Sequence, residues 1–121
     1  MKKKKILVIE DEKKINQLLS INFAGEGFQV DTATSGEQGL EKVDKFMPDI
    51  VILDVRLPLM DGWEVCRRIK GNHKYKDILV VMLTALTQKA DMEKAKVFCA
   101  DGFIGKPFEI DDIIKKIKDM T

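Results

Sequence analysis

The sequence predicts an α/β fold, a parallel sheet with helices on both faces. Three observations carry this. Ile6-Leu7-Val8-Ile9, Ile50-Val51-Ile52-Leu53 and Ile78-Leu79-Val80-Val81-Met82-Leu83 are unbroken apolar runs rich in β-branched residues. Runs of that length and type suit strands covered on both faces. Stretches of helical periodicity separate them, so that strand and helix alternate five times, the order that builds parallel sheets. The first run is followed by Glu10-Asp11-Glu12 and the second by Asp54. Right-handed crossovers bring every strand's carboxyl end to one rim, so these acids should meet.

Taken in order, Ile6 to Ile9 form the first strand. Ile15, Leu18, Leu19, Asn22 and Phe23 follow at helical spacing, with one polar member, and Gly25 and Gly27 stop that helix. Phe28, Val30 and Thr32 alternate with Gln29, Asp31 and Ala33, the pattern of a half-exposed edge strand. Ser35 and Gln38 have capping-box spacing. The helix they open should turn Leu40, Val43 and Met47 inward, and Pro48 bars its continuation. After the strand ending at Asp54, Asp61-Gly62 opens a third helix with Val65, Cys66 and Ile69 inward and Gly71-Asn72 as its stop. The strand over 78–83 leads to Thr84-Ala85. A fourth helix, from about Gln88 to Phe98, has only a thin stripe of Ala90, Ala95 and Phe98. Gly102-Phe103-Ile104-Gly105 is a very short fifth strand. The last helix carries Ile110, Ile113, Ile114 and Ile117 at i, i+3, i+4 and i+7, the clearest amphipathic pattern of the chain.

Composition narrows the function classes. The 121 residues suit one domain, 1–121, whose core buries roughly two thirds of the unfolded chain's surface. With 45% apolar and 34% charged residues a soluble globular protein is expected. A net charge of +1 gives no pull toward nucleic acid or a membrane surface. Lys2 to Lys5 read as a solvated tail, because the apolar stretch after them is too short for a signal-peptide core. No run could span a bilayer. Cys66 and Cys99 match no metal or redox spacing. They read as buried thiols of a cytoplasmic protein. His73, the one histidine, lies in the polar stretch Gly71-Asn72-His73-Lys74 and is expected in solvent.

The rim should collect Glu10, Asp11, Asp54, Thr84 and Lys106. Singly, such residues are helix caps, turn residues or surface lysines; their arrival together on one rim is the signal. Three carboxylates in close quarters repel, and one would hold its proton unless a cation joined them. Mg2+ takes oxygen ligands and typically one or two carboxylates with a phosphate. Lys106 adds a mobile point charge, and Thr84 a hydroxyl. A metal, a lysine and a hydroxyl around a carboxylate suit phosphoryl transfer, which needs positioning and charge neutralisation. The nucleophile would be a carboxylate, giving an acyl phosphate.

With Ile6-Leu7-Val8-Ile9-Glu10-Asp11-Glu12, Asp49-Ile50-Val51-Ile52-Leu53-Asp54, Leu57-Pro58-Leu59-Met60-Asp61-Gly62, Leu83-Thr84-Ala85 and Ala100 through Phe108, the chain resembles the receiver domain of two-component response regulators over its whole length. The resemblance implies a flavodoxin-like, doubly wound fold with strand order 2-1-3-4-5 and five helices. It implies Asp54 as phosphoacceptor, Asp11, Asp54 and the Arg56 carbonyl as direct Mg2+ ligands, and Glu10 acting on the metal through water. Lys106 and Thr84 would hold phosphoryl oxygens, and Phe103 takes the place of the switch aromatic. Three positions depart from the common pattern: Glu10 for Asp, Cys99 for Gly, and Phe103 for Tyr, which leaves no switch hydroxyl.

The implied function is that of a phosphoacceptor rather than an enzyme. A sensor histidine kinase or histidine phosphotransfer protein would be the donor. A downstream protein or a second copy would bind the face of the Gln88–Phe98 helix, the fifth strand and the last helix, with no direct nucleic-acid or membrane contact. The chain reads either as a free-standing regulator or as a receiver cut from a longer DNA-binding one. Rival folds fit less well. Toprim and haloacid-type sites need Asp-x-Asp, where this chain has Asp54-Val55-Arg56 and Glu10-Asp11-Glu12, and no glycine-rich phosphate loop is present. A receiver-like module that works without phosphorylation is the remaining alternative.

Overall fold

The computed structural model describes residues 3–84, Glu93 and residues 100–121. The helix expected from Gln88 to Phe98 lies outside the described residues apart from Glu93, as does Cys99. The five strands are β1 (Lys5–Ile9), β2 (Gln29–Ala33), β3 (Ile50–Asp54), β4 (Leu79–Thr84) and β5 (Gly102–Gly105). Helices α1 (Lys13–Gly25), α2 (Gly36–Phe46) and α3 (Gly62–Lys70) follow the first three strands, and a C-terminal helix spans Ile110–Met120. All strand pairs are parallel, in the order β2-β1-β3-β4-β5.

Alternate strand residues face opposite sides of a sheet, and both sides are buried here. Leu7, Ile9, Val51, Leu53, Val80 and Met82 pack with Val43 of α2 and Trp63, Val65, Cys66 and Ile69 of α3. On the other face Ile6, Val8, Ile50, Ile52, Val81 and Leu83 pack with Leu19 and Phe23 of α1 and Ile113 and Ile117 of the C-terminal helix. Each such burial contributes roughly 1.5–3 kcal/mol, which is why the wholly buried stretches Ile6–Ile9, Ile50–Leu53 and Val80–Leu83 are all apolar.

The register sets the rim. Ile9 pairs with Leu53, Leu53 with Met82, and Asp54 with Leu83. Thr84 pairs with Gly105. Glu10, Asp54, Thr84 and Lys106 therefore leave the sheet at the same edge, within about one residue of one another along the strand direction.

Three details differ from expectation. On α1 Leu19 and Phe23 are buried and Ile15 packs against them, as expected, but Leu18 is exposed and Asn16 is buried instead, because the Asn16 amide finds partners there. On α2, Met47 is the left-handed residue that ends the helix (φ 49°) and is exposed, and Phe46 takes the inward place. The capping box is shifted. Ser35 Oγ accepts from Gln38 N at 3.2 Å, but Gln38 Oε1 accepts from Thr34 N rather than from Ser35.

Candidate functional site

Glu10 follows the last residue of β1, and its backbone N–H donates to Ala33 O of β2 at 3.0 Å. Its carboxylate is turned inward and wholly buried. Asp11 is exposed beside it. Asp54, the last residue of β3, is 5% exposed. One carboxylate oxygen from each of Glu10, Asp11 and Asp54 lies within 4.8 Å of the others.

Among the described residues, two amides and one cation anchor the cluster. Arg56 N donates to Asp54 Oδ1 at 3.0 Å, and Glu12 N to Glu10 Oε2 at 3.2 Å. Lys106 Nζ reaches Asp54 Oδ2 at 2.8 Å and Glu10 Oε1 at 3.2 Å. The lysine is delivered by β5: Lys106 N donates to Thr84 O at 2.6 Å, so the carbonyl of one candidate residue fixes the backbone of another. The Lys106–Pro107 peptide is cis. Thr84 is buried at the end of β4. Phe103 is half-buried on β5, opposite Met82. Arg56 is exposed in the loop after Asp54.

That loop is held at close quarters. Gly62 N donates to Val55 O at 2.8 Å. A Cβ at Gly62 would lie 2.1 Å from Asp54 O and 2.8 Å from Val55 Cα, so only glycine allows the first turn of α3 to sit on the chain that leaves Asp54. Asp61 caps the helix, its Oδ1 accepting from Glu64 N at 3.0 Å. Leu59, at the loop's tip, is fully exposed with φ 66°.

The electrostatics follow from this crowding. Burial, then the hydrogen bond and negative charge of Asp54, push the Glu10 carboxyl up to about 8, against the pull of the Glu12 amide and Lys106. Burial alone would lower the Lys106 ammonium, but Asp54 and Glu10 outweigh it and hold it above its ordinary value. The acids thus carry more negative charge than one lysine neutralises. An oxygen-only set of three carboxylates fits a hard divalent cation, which would let Glu10 ionise.

The sequence reading anticipated Glu10, Asp11, Asp54 and Lys106, and the structure brings all four together. It did not anticipate Asn16, whose buried side-chain Nδ2 donates to Glu10 O at 3.0 Å and to Ala33 O at 3.2 Å. Nor did it single out Gly62 for its close approach. An amide on the inward face of a helix looks like an interruption in sequence, and only the two strand-end carbonyls explain it.

Residues 6–118 match the family model described as response regulator receiver domain. The chain is 35% identical over 94% of its length to the DNA-binding dual master transcriptional regulator RpaA of Synechocystis sp., covering 47% of that protein. It is 38% identical over 95% of its length to the alkaline phosphatase synthesis transcriptional regulatory protein PhoP of Bacillus subtilis, again covering 47%. The chain therefore spans about half the length of the curated relatives it matches. Among solved structures, the chemotaxis protein CheY4 of Vibrio cholerae superposes with a TM-score of 0.94 at 29% identity, covering 99% of this chain and 100% of that one. Family match, sheet order and the acid cluster agree: the chain belongs to the receiver domains of two-component response regulators.

Proposed function

We propose that this receiver takes a phosphoryl group onto Asp54, with Mg2+ held by Asp11, Asp54 and the Arg56 carbonyl and by Glu10 through water. The convergence of three carboxylates within 4.8 Å, with Lys106 Nζ 2.8 Å from Asp54, carries this reading. Bound Mg2+ would neutralise the acids and the donor's phosphoryl oxygens together. An Asp54 oxygen attacks phosphorus; the new P–O bond forms as the P–N bond of a phosphohistidine breaks, and the imidazole nitrogen keeps that electron pair. The Arg56 amide steadies Oδ1 during attack. Lys106 passes from Asp54 Oδ2 to a phosphoryl oxygen, and the Thr84 hydroxyl donates to another.

The donor is a sensor histidine kinase or a histidine phosphotransfer protein in the cytoplasm. The single histidine, His73, is exposed in a 3-10 turn, His73–Tyr75, and is not the donor. The domain promotes its own phosphorylation and slow dephosphorylation. The output surface is β5 and the C-terminal helix, together with the segment from Gln88 to Phe98 that the sequence predicts to be helical, and it binds a downstream protein or a second copy. Thr84 and Phe103 link it to Asp54. In a longer protein like the DNA-binding regulator RpaA that output would extend to a DNA-binding partner domain.

The test is intact-mass spectrometry with Mg2+ and phosphoramidate or acetyl phosphate. A gain of one phosphoryl group, lost on chelation and in Asp54→Asn, is expected. Equal labelling of Asp54→Asn overturns the assignment, and no labelling of the wild type favours a module that works without phosphorylation.

A further inference from the structure

The buried amide of Asn16 has a more specific consequence than helix packing. Asn16 lies in the first turn and a half of α1 and is 6% exposed. A buried amide costs free energy unless its hydrogens are used. Nδ2 donates to the carbonyls of Glu10 and Ala33, at 3.0 and 3.2 Å. Ala33 O also accepts from Glu10 N. These two carbonyl acceptors fix which way the amide faces, while the Ser20 hydroxyl donates to the Asn16 backbone carbonyl at 2.6 Å.

The Glu10 carbonyl belongs to the peptide that joins Glu10 to Asp11. A peptide unit is planar from one Cα to the next. Holding its oxygen therefore sets the plane, and with it the directions in which the Glu10 and Asp11 side chains leave the chain. Both supply oxygens to the acid cluster. Mg2+ demands near-ideal octahedral geometry and so punishes small errors in ligand direction. We propose that Asn16 is a positioning residue for the metal site: its amide orients the Glu10–Asp11 peptide and thereby sets the affinity for a divalent cation. The inference rests on the functional reading above, in that the cation is Mg2+.

The test compares magnesium affinity with stability. Isothermal titration with MgCl2 gives the Kd, and urea unfolding the stability, for wild type, Asn16→Leu, Asn16→Ser and Val43→Ala. Val43 is buried on α2 and serves as a control for loss of stability alone. Losing an outer-shell partner of this kind typically weakens metal binding by about 10- to 100-fold. Both Asn16 variants should show a rise of that order, whereas Val43→Ala, destabilised as much or more, keeps the wild-type Kd within about twofold. Asn16→Ser, a smaller side chain that avoids overpacking the site, keeps the comparison open if Asn16→Leu does not fold. Wild-type-like Kd values in the Asn16 variants that fold, or an equal rise in Val43→Ala, overturn the inference while leaving the functional reading standing. Failure of the wild type to bind Mg2+ overturns that reading and the inference with it.

Discussion

Replacing Glu10 by Gln should remove most of the pH dependence of stability in the metal-free domain above mildly acidic pH. Glu10 is wholly buried, and burial with the adjacent Asp54 raises its carboxyl from 4.5 to about 8. Between those values the folded chain binds a proton that the unfolded chain does not. Stability is then full below the unfolded value and falls as pH rises through the folded one. The slope is about 1.4 kcal/mol per pH unit, so about 3 kcal/mol is lost between pH 5 and pH 7. That is a large share of a small domain's total of about 5–15 kcal/mol. Among the described residues the other perturbed groups add almost no slope there. Glu64, held at about 2 by Arg67 and Arg68, and Asp44, held low by Lys74 and Tyr75, are ionised throughout the window. The raised Lys74, Tyr75, Lys106 and Arg67 stay protonated. The assay is urea unfolding with a chelator present across this range. Wild type should weaken steadily while Glu10→Gln stays nearly flat, and saturating Mg2+ should restore the wild type most at the high end, where Glu10 gives up its proton most readily. A flat wild-type profile, or the same decline in Glu10→Gln, refutes the reasoning.

Other outcomes follow from the same geometry. Gly62→Ala should cost about 3 kcal/mol or more in urea unfolding, because its Cβ would strike Asp54 O at 2.1 Å, and phosphorylation should slow with it. Arg56→Gly or Arg56→Asn should shorten the phosphorylated lifetime, read by mass spectrometry over time, since an exposed long side chain two residues past Asp54 can screen the phosphoryl group from water; an equal or longer lifetime counts against this. Thr84→Ala should keep the fold and much of the phosphorylation but confine beryllofluoride-induced amide shifts to the Asp54 loop, whereas in wild type they reach β5 and the C-terminal helix.

The apolar runs made the central strands legible, because residues buried on both faces leave no room for a polar alternation. The rim acids were legible for the same reason: each stands at the end of a strand or just past it, where the buried stretch gives out. Helix faces were harder to read. Leu18 occupies an inward position by spacing yet is exposed, and Asn16 is buried, since two backbone carbonyls outcompete an apolar contact there. Met47 was placed inward by its interval from Val43, but the chain turns left-handed at that residue and Phe46 packs instead. Contacts that depend on backbone approach, such as Gly62 over Asp54, or on register, such as Lys106 N to Thr84 O, have no local signature. The helix expected over Gln88–Phe98, with its thin apolar stripe, lies outside the described residues apart from Glu93.

The central claim is that Asp54 itself carries the phosphoryl group. Borohydride reduces an acyl phosphate to an alcohol with loss of phosphate, converting the modified aspartate to homoserine. After treatment with Mg2+ and phosphoramidate, then borohydride, peptide sequencing by mass spectrometry should find homoserine at position 54 and nowhere else. Homoserine at Asp11 or another aspartate, or none despite a phosphoryl mass gain on the intact chain, contradicts the account.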